Sequence, residues 1–165
     1  MNLNDFPAKK IRAKVIKEYL RRANKLNSQV VCLSCGNASK ALIDEGLNVV
    51  DLSPNGKLIA NRWLSQSDVA RIFPDAFDAT SGHLHFGLMW EIAMEFKKQF
   101  GGMYDKINVP SGSGETAVCI ALAYPKTKVV ACYHDCFPET KWNDGAPLNE
   151  LVKRLCDMQR ITKSE

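Results

Sequence analysis

No apolar run in this 165-residue chain is long enough to span a bilayer. No signal-peptide pattern opens it either, so a cytoplasmic protein with no membrane role is expected. A P-loop lysine is missing, and so is a GxGxxG fingerprint, which leaves a nucleotide site little support. Asp51, at the end of an expected strand, could suit a ribose, but no proper glycine fingerprint precedes it. Cysteine is plentiful instead, at positions 32, 35, 119, 132, 136 and 156. Without an export signal, these read as free thiols of a reducing compartment. Cys132, His134 and Cys136 invite a zinc reading, yet no second CxxC or HxxxH pair completes a four-ligand set, and no metal is expected. Internal repeats, low-complexity runs and obvious linkers are all missing. One domain over residues 1–165 is therefore expected, large enough to bury a real core.

What is present is an alternation. Residues 8–26 carry Ile11, Val15, Ile16, Tyr19, Leu20, Ala23 and Leu26 at helical spacing. Val30 to Leu33 reads as a short buried strand, Ala38 to Gly46 as a helix ending on its glycine, and Leu47 to Leu52 as a second strand. Ser65, with Asp68 three residues on, could cap a helix running to about Phe73. Pro74 to Gly82 is a polar, turn-rich connector. Leu88, Met89, Ile92, Ala93, Phe96 and Phe100 then mark an amphipathic helix stopped by Gly101-Gly102. A strand holding Ile107 and Val109, a glycine loop, an apolar helix and the strand Lys128 to Tyr133 follow. A last helix carries Leu148 to Met158. Strands alternating with helices predict an α/β fold of three layers, a mainly parallel sheet flanked by helices on both faces. Ligands of such sheets sit beyond the carboxyl ends of the strands.

Two strand-to-helix loops fall at such ends. In Pro110 to Thr116 (PSGSGET), Gly112 and Gly114 let a ligand approach the main chain. The free N–H groups of the following helix suit an anion such as phosphate. Ser111, Ser113 and Thr116 add hydroxyl donors, although an ordinary capped turn would have the same composition. Ser34-Cys35-Gly36-Asn37 is a similar turn, fit either for a helix cap or for cradling a carboxylate.

Together these pieces resemble the fold-type II pyridoxal-phosphate enzymes, the family of tryptophan synthase β, cysteine synthase and threonine dehydratase. Lys10-Ile11-Arg12-Ala13 is similar to the segment around that family's Schiff-base lysine. SCGN resembles its S-[ST]-G-N loop, Glu91-Ile92 the Glu-Ile of a later helix, VPSGSGETAVCIAL its phosphate loop, and KVVACYHD the strand after it. The likeness runs from about residue 9 to 135, and what it implies is a shortened form of that fold. Lys10 would be the lysine that carries pyridoxal 5'-phosphate, with Lys9 as its rival. Asn37 would hydrogen-bond the ring hydroxyl. Ser34, Cys35, Gly36, Asn37 and Ala38 would hold the amino-acid carboxylate. Gly112, Ser113, Gly114, Glu115 and Thr116 would enclose the phosphate.

A desolvated lysine can act as nucleophilic amine and as base. The resemblance thus implies a lyase or synthase acting on an amino-acid substrate by β-elimination or β-replacement. Two departures stand out. Glu115 replaces a usually small residue and must point away from a phosphate. The chain also stops short of the family's C-terminal half, so a homo-oligomer or a completing subunit is expected. The alternative is a non-catalytic binding or assembly module. Residues 1–25 hold eight Lys/Arg against Asp5 and Glu18, whereas the net charge of the whole chain is only +4. A helix that basic could engage a partner or nucleic acid.

Overall fold

The computed structural model describes residues 1–33, 37–52, 64–132, 147–158 and 160–164. It has the expected α/β character, with parallel sheets flanked by helices. The chain forms two compact units, one of residues 1–8 with 89–165 and the other of residues 9–88. Each has its own three-stranded parallel sheet.

In the 9–88 unit, α1 (Asp5–Arg22, continuing from residue 9 here) turns Ile11, Val15, Ile16 and Leu20 inward as the sequence spacing predicts, with Ala13 beside them; of the same stripe, Tyr19 is half-buried and Ala23 is exposed. It ends four residues before Leu26, and Leu26 is exposed. The cause is a local closure. Asn24 takes a positive φ of 60°, Asn24 N–H donates to Arg21 O, and Lys25 N–H donates to Leu20 O. Paired bonds of that kind end a helix. α2 (Asn37–Asp44) closes in the same way on Gly46, whose φ is +81°. β1 (Gln29–Cys32) lies between β2 (Asn48–Asp51) and β3 (Phe77–Asp78). α3 (Gln66–Ile72) begins on a full capping box, Ser65 Oγ taking the Asp68 N–H and the Asp68 carboxylate the Ser65 N–H. Val31, Leu33, Leu52, Leu64 and Val69 form the core, with Val50, Phe73 and Ala76 against it.

In the other unit the sheet order is β4 (Lys106–Pro110), β5 (Lys128–Cys132), β6 (Ile161–Ser164). Met1 to Leu3 extend it beside β4, exchanging main-chain hydrogen bonds with Lys106 and Asn108. α4 (Phe86–Phe100, of which Met89 onward belongs here) stops at Gly101-Gly102, both at positive φ. α5 (Glu115–Ala123) packs on all three strands, and α6 (Pro147–Asp157) packs on β6 and α5. Eight of the nine α5 residues are buried, which is why ETAVCIALA is apolar on every side rather than striped.

The structure adds two strands to the expected order. β3 has only two residues, within the polar connector, and β6 exposes too little apolar sequence for an alternating pattern to register.

Candidate functional site

The glycine loop leaves β4 at Pro110. Ser111 N–H donates to Cys132 O at 2.9 Å, which ties the loop to the end of β5. Gly114 is the N-cap of α5 at φ +93°, a left-handed conformation that favours glycine. No side chain caps this helix start. Ser113 Oγ turns back instead to accept from Glu115 N–H at 3.3 Å. An uncapped first turn leaves N–H donors without intrahelical partners, with the positive end of the helix dipole behind them. Ser111, Ser113, Glu115 and Thr116 are all at least 94% buried, and Ser111 Oγ has no hydrogen-bond partner among the described residues. Burying a hydroxyl unpaired is costly unless something else occupies its bonding direction. Glu115, at 1% exposure, lies inside the first turn rather than in solvent. A carboxylate is electrostatically favourable at that end of a helix. The loop thus gathers hydroxyl and N–H donors for an acceptor-rich anion.

The 9–88 unit builds a second polar region where its sheet order reverses. β2 and β3 lie on opposite sides of β1, and beyond the carboxyl ends of such strands α/β sheets form crevices. Here the segment after β3, Ala79 to His83, is tied down by side chains from elsewhere. Leu33 N–H donates to Thr80 Oγ1 at 3.1 Å, and the Arg12 guanidinium donates to Ala79 O at 2.6 Å. Cys32 Sγ lies 3.7 Å from the same carbonyl. Asp78 accepts Thr80 N–H at 3.0 Å, and its other oxygen lies 2.7 Å from His83 Nδ1. Burial pushes the Cys32 thiol above its usual pKa, opposed by the nearby Arg12 charge. That thiol is a core group rather than a nucleophile.

The predicted site residues divide as follows. Asn37 opens α2 and is exposed, and Ala38 is buried behind it. Ser34, Cys35 and Gly36 lie outside the described residues, as do His134 and Cys136. Lys10 is exposed to solvent, whereas Lys9 is half-buried with Nζ 3.4 Å from Ser81 Oγ. Gly112, Ser113, Gly114, Glu115 and Thr116 are together in the 89–165 unit, and Lys9, Lys10, Asn37 and Ala38 in the 9–88 unit. Asp78, Thr80, Ser81 and His83 do not stand out in the sequence. The one local signal is Asp followed two residues on by Thr, the pattern of a side chain closing its own turn. The ties to Lys9 and Arg12 span 72 and 67 residues and leave no such pattern.

Chemically, a lysine ammonium beside a hydroxyl can hold or release a proton. An imidazole oriented by a carboxylate through Nδ1 has its other nitrogen available for proton transfer. Among the described residues, no group of three or more His, Cys, Asp or Glu is placed to hold a metal ion. Nor is any described helix long and apolar enough to cross a membrane.

No protein-family model matches the chain, and no curated protein matches it. Among solved structures, the crystal structure of T.th. threonine deaminase aligns with a TM-score of 0.44 and 15% identity. The alignment covers 79% of this chain and 45% of the deaminase, so this chain spans under half the length of that structure. At that score and identity, the likeness bears on neither activity nor individual residues.

Proposed function

We propose that this chain binds pyridoxal phosphate, with the phosphate held by Ser111 to Thr116, and that it acts on an amino acid by β-elimination or β-replacement. The carrying observation is the buried, unpartnered Ser111 Oγ beside an uncapped helix start at left-handed Gly114. The Ser111 hydroxyl and the first-turn N–H groups beyond Glu115 are donors that suit a phosphate dianion. The ordered resemblance of Lys10-Ile11-Arg12-Ala13, SCGN and SGSGET adds the cofactor's identity. When bound, pyridoxal phosphate supplies an electron sink for negative charge developing on the substrate's α-carbon. The chain's own part is to bind, orient and move protons. The motif assigns the phosphate to Gly112, Ser113, Gly114, Glu115 and Thr116, where Glu115 N–H is already taken by Ser113 Oγ, the ring hydroxyl to Asn37, and the carboxylate to Ser34, Cys35, Gly36, Asn37 and Ala38. The motif assigns the lysine role to Lys10. Partial burial and the Ser81 contact favour Lys9, since desolvation is what makes a lysine amine a base.

The test is a titration with pyridoxal phosphate followed by visible absorption. A saturable shift of the cofactor's band is expected, lost in Lys9→Ala and kept in Lys10→Ala. Absence of any shift in the unaltered protein overturns the reading. The exposure of Lys10 favours a second reading, a module that binds the cofactor or another phosphate without chemistry. In that case the band shift is absent while phosphate binding persists. The basic face of α1 is partly engaged within the chain, by Lys17 with Glu45 at 3.8 Å and by Arg21 with Glu18. Its use on nucleic acid would show as steeply salt-dependent binding. Self-association or a completing subunit belongs to either version, and Ile43, Phe86, Trp90 and Met103 are exposed apolar residues that would be covered. Sedimentation checks it.

A further inference from the structure

We propose that a groove at the amino-terminal ends of β5 and β6 binds the phosphate group of a small anionic ligand, separately from the Ser111–Thr116 loop. The groove is lined by Pro125, Lys126, Thr127, Lys128, Arg160 and Thr162, and its volume is about 510 Å³. That is the size of a small-molecule site. Among the described residues that line it, half are cations and none is acidic.

The cations are concentrated rather than spread. Lys106 stands directly opposite Lys128 in the β4–β5 register, and the N-terminal ammonium of Met1 donates to Lys106 O at 2.9 Å. Like charges facing each other across two strands are unfavourable in the empty protein, and an anion between them reverses the sign. Lys106, Lys126, Lys128 and Arg160 form no ion pair among the described residues, although the chain pairs cations elsewhere. Asp105, the residue before Lys106, accepts Lys128 N–H through its main-chain carbonyl at 3.0 Å.

Arg160 is also fixed in place. One terminal nitrogen donates to the carbonyls of Tyr124 at 3.0 Å, Ala121 at 3.2 Å and Thr127 at 3.4 Å, closing the end of α5, while its buried Nε has no partner among the described residues. A cation held this way loses little rotamer freedom when a ligand arrives. Thr127 is locked as well, its hydroxyl donating to Tyr104 O at 2.6 Å. Arg160 and Thr127 are thus held by the fold, and Lys126 and Lys128 line the same groove as exposed point charges. A groove lined by three cations, with Lys106 on the neighbouring strand, fits a phosphorylated small molecule better than a nucleic acid, which needs a basic stripe along several phosphates. The site lies at the opposite end of β5 from Cys132, which anchors the glycine loop, roughly 13 Å away at strand rise.

The experiment is calorimetric titration of the full chain with pyrophosphate at constant ionic strength. AMP and a short oligonucleotide serve as comparison arms. Saturable pyrophosphate binding is expected to weaken at least tenfold in Lys126→Glu/Lys128→Glu and by a smaller factor in Lys126→Gln/Lys128→Gln. Ser111→Ala is expected to leave this binding within twofold. Saturable AMP binding with the same sensitivity supports a small phosphorylated ligand. The proposal is overturned if both double variants bind pyrophosphate as the unaltered protein does, or if Ser111→Ala weakens the binding about tenfold, as it should for a phosphate held at the glycine loop. It is equally overturned if only the oligonucleotide binds. Because Ser111→Ala separates the two sites, failure here leaves the pyridoxal-phosphate reading standing, and the reverse holds too.

Discussion

Two segments of this chain leave the carboxyl ends of parallel strands, are rich in Ser, Thr and Gly, and lead into helices, yet they are held in opposite ways. Ala79 to His83 is stitched from outside: Arg12 takes one carbonyl, Thr80 serves Leu33, and Asp78 holds both Thr80 N–H and the His83 ring. Ser111 to Thr116 is shaped mostly from within, by a left-handed glycine and a Ser113 turn, and keeps a buried hydroxyl that has no partner among the described residues. Composition does not separate the two. What separates their hydroxyls is that Thr80 Oγ1 is bonded to Leu33 N–H, while Ser111 Oγ has no partner among the described residues and is left for a ligand at a cost to stability.

If that contrast is right, the largest effect on folding comes from the stitched segment. Arg12→Ala removes a buried guanidinium and leaves the Ala79 carbonyl only the weak Cys32 thiol donor, and about 3 kcal/mol of stability should be lost. Urea unfolding measures it. A loss under about 1 kcal/mol would mean that Ala79 to His83 does not depend on its long-range ties. Next comes Thr80→Val, nearly the same shape without the acceptor. It leaves Leu33 N–H unpaired in the core and should cost about 1–2 kcal/mol. Phosphate binding by the other loop should be unchanged in both variants. Gly114→Ala is the counterpart in the glycine loop. An alanine at φ +93° is strained by about 1–2 kcal/mol, and here phosphate affinity should fall together with stability. Phosphorus NMR of inorganic phosphate, run beside thermal melts, separates the two readouts.

Much of this architecture is legible in the sequence because its causes are local. The capping box at Ser65 and Asp68, the closure of α2 on Gly46 and the stop at Gly101-Gly102 are each settled within a few residues. The buried face of α1 follows from side-chain spacing alone. The end of α1 does not, since Asn24 in a left-handed turn interrupts a stripe that continues in composition to Leu26. β3 is hidden because two residues cannot show a period, and its place beside β1 comes from the register Val30 to Phe77. At the candidate site the glycine loop can be read and the choice between Lys9 and Lys10 cannot. Adjacent residues on a helix point about 100° apart, and only the fold decides which of them meets Ser81.

The smallest effect on folding is the sharpest test of the contrast. Ser111→Ala deletes a hydroxyl that has no partner among the described residues while leaving the main-chain bond to Cys132 intact. In a stitched segment such a change would destabilise, as Thr80→Val should. Here the deleted group is a buried donor with nothing to bond, so stability should hold or rise by up to about 1 kcal/mol. Affinity for pyridoxal phosphate should fall at the same time by about tenfold, the worth of one hydrogen bond to a charged oxygen. A variant that melts higher and binds worse marks the hydroxyl as reserved for a ligand. If it instead melts lower with unchanged affinity, Ser111 belongs to the packing of the loop, and the two segments differ only in how their corners are fastened.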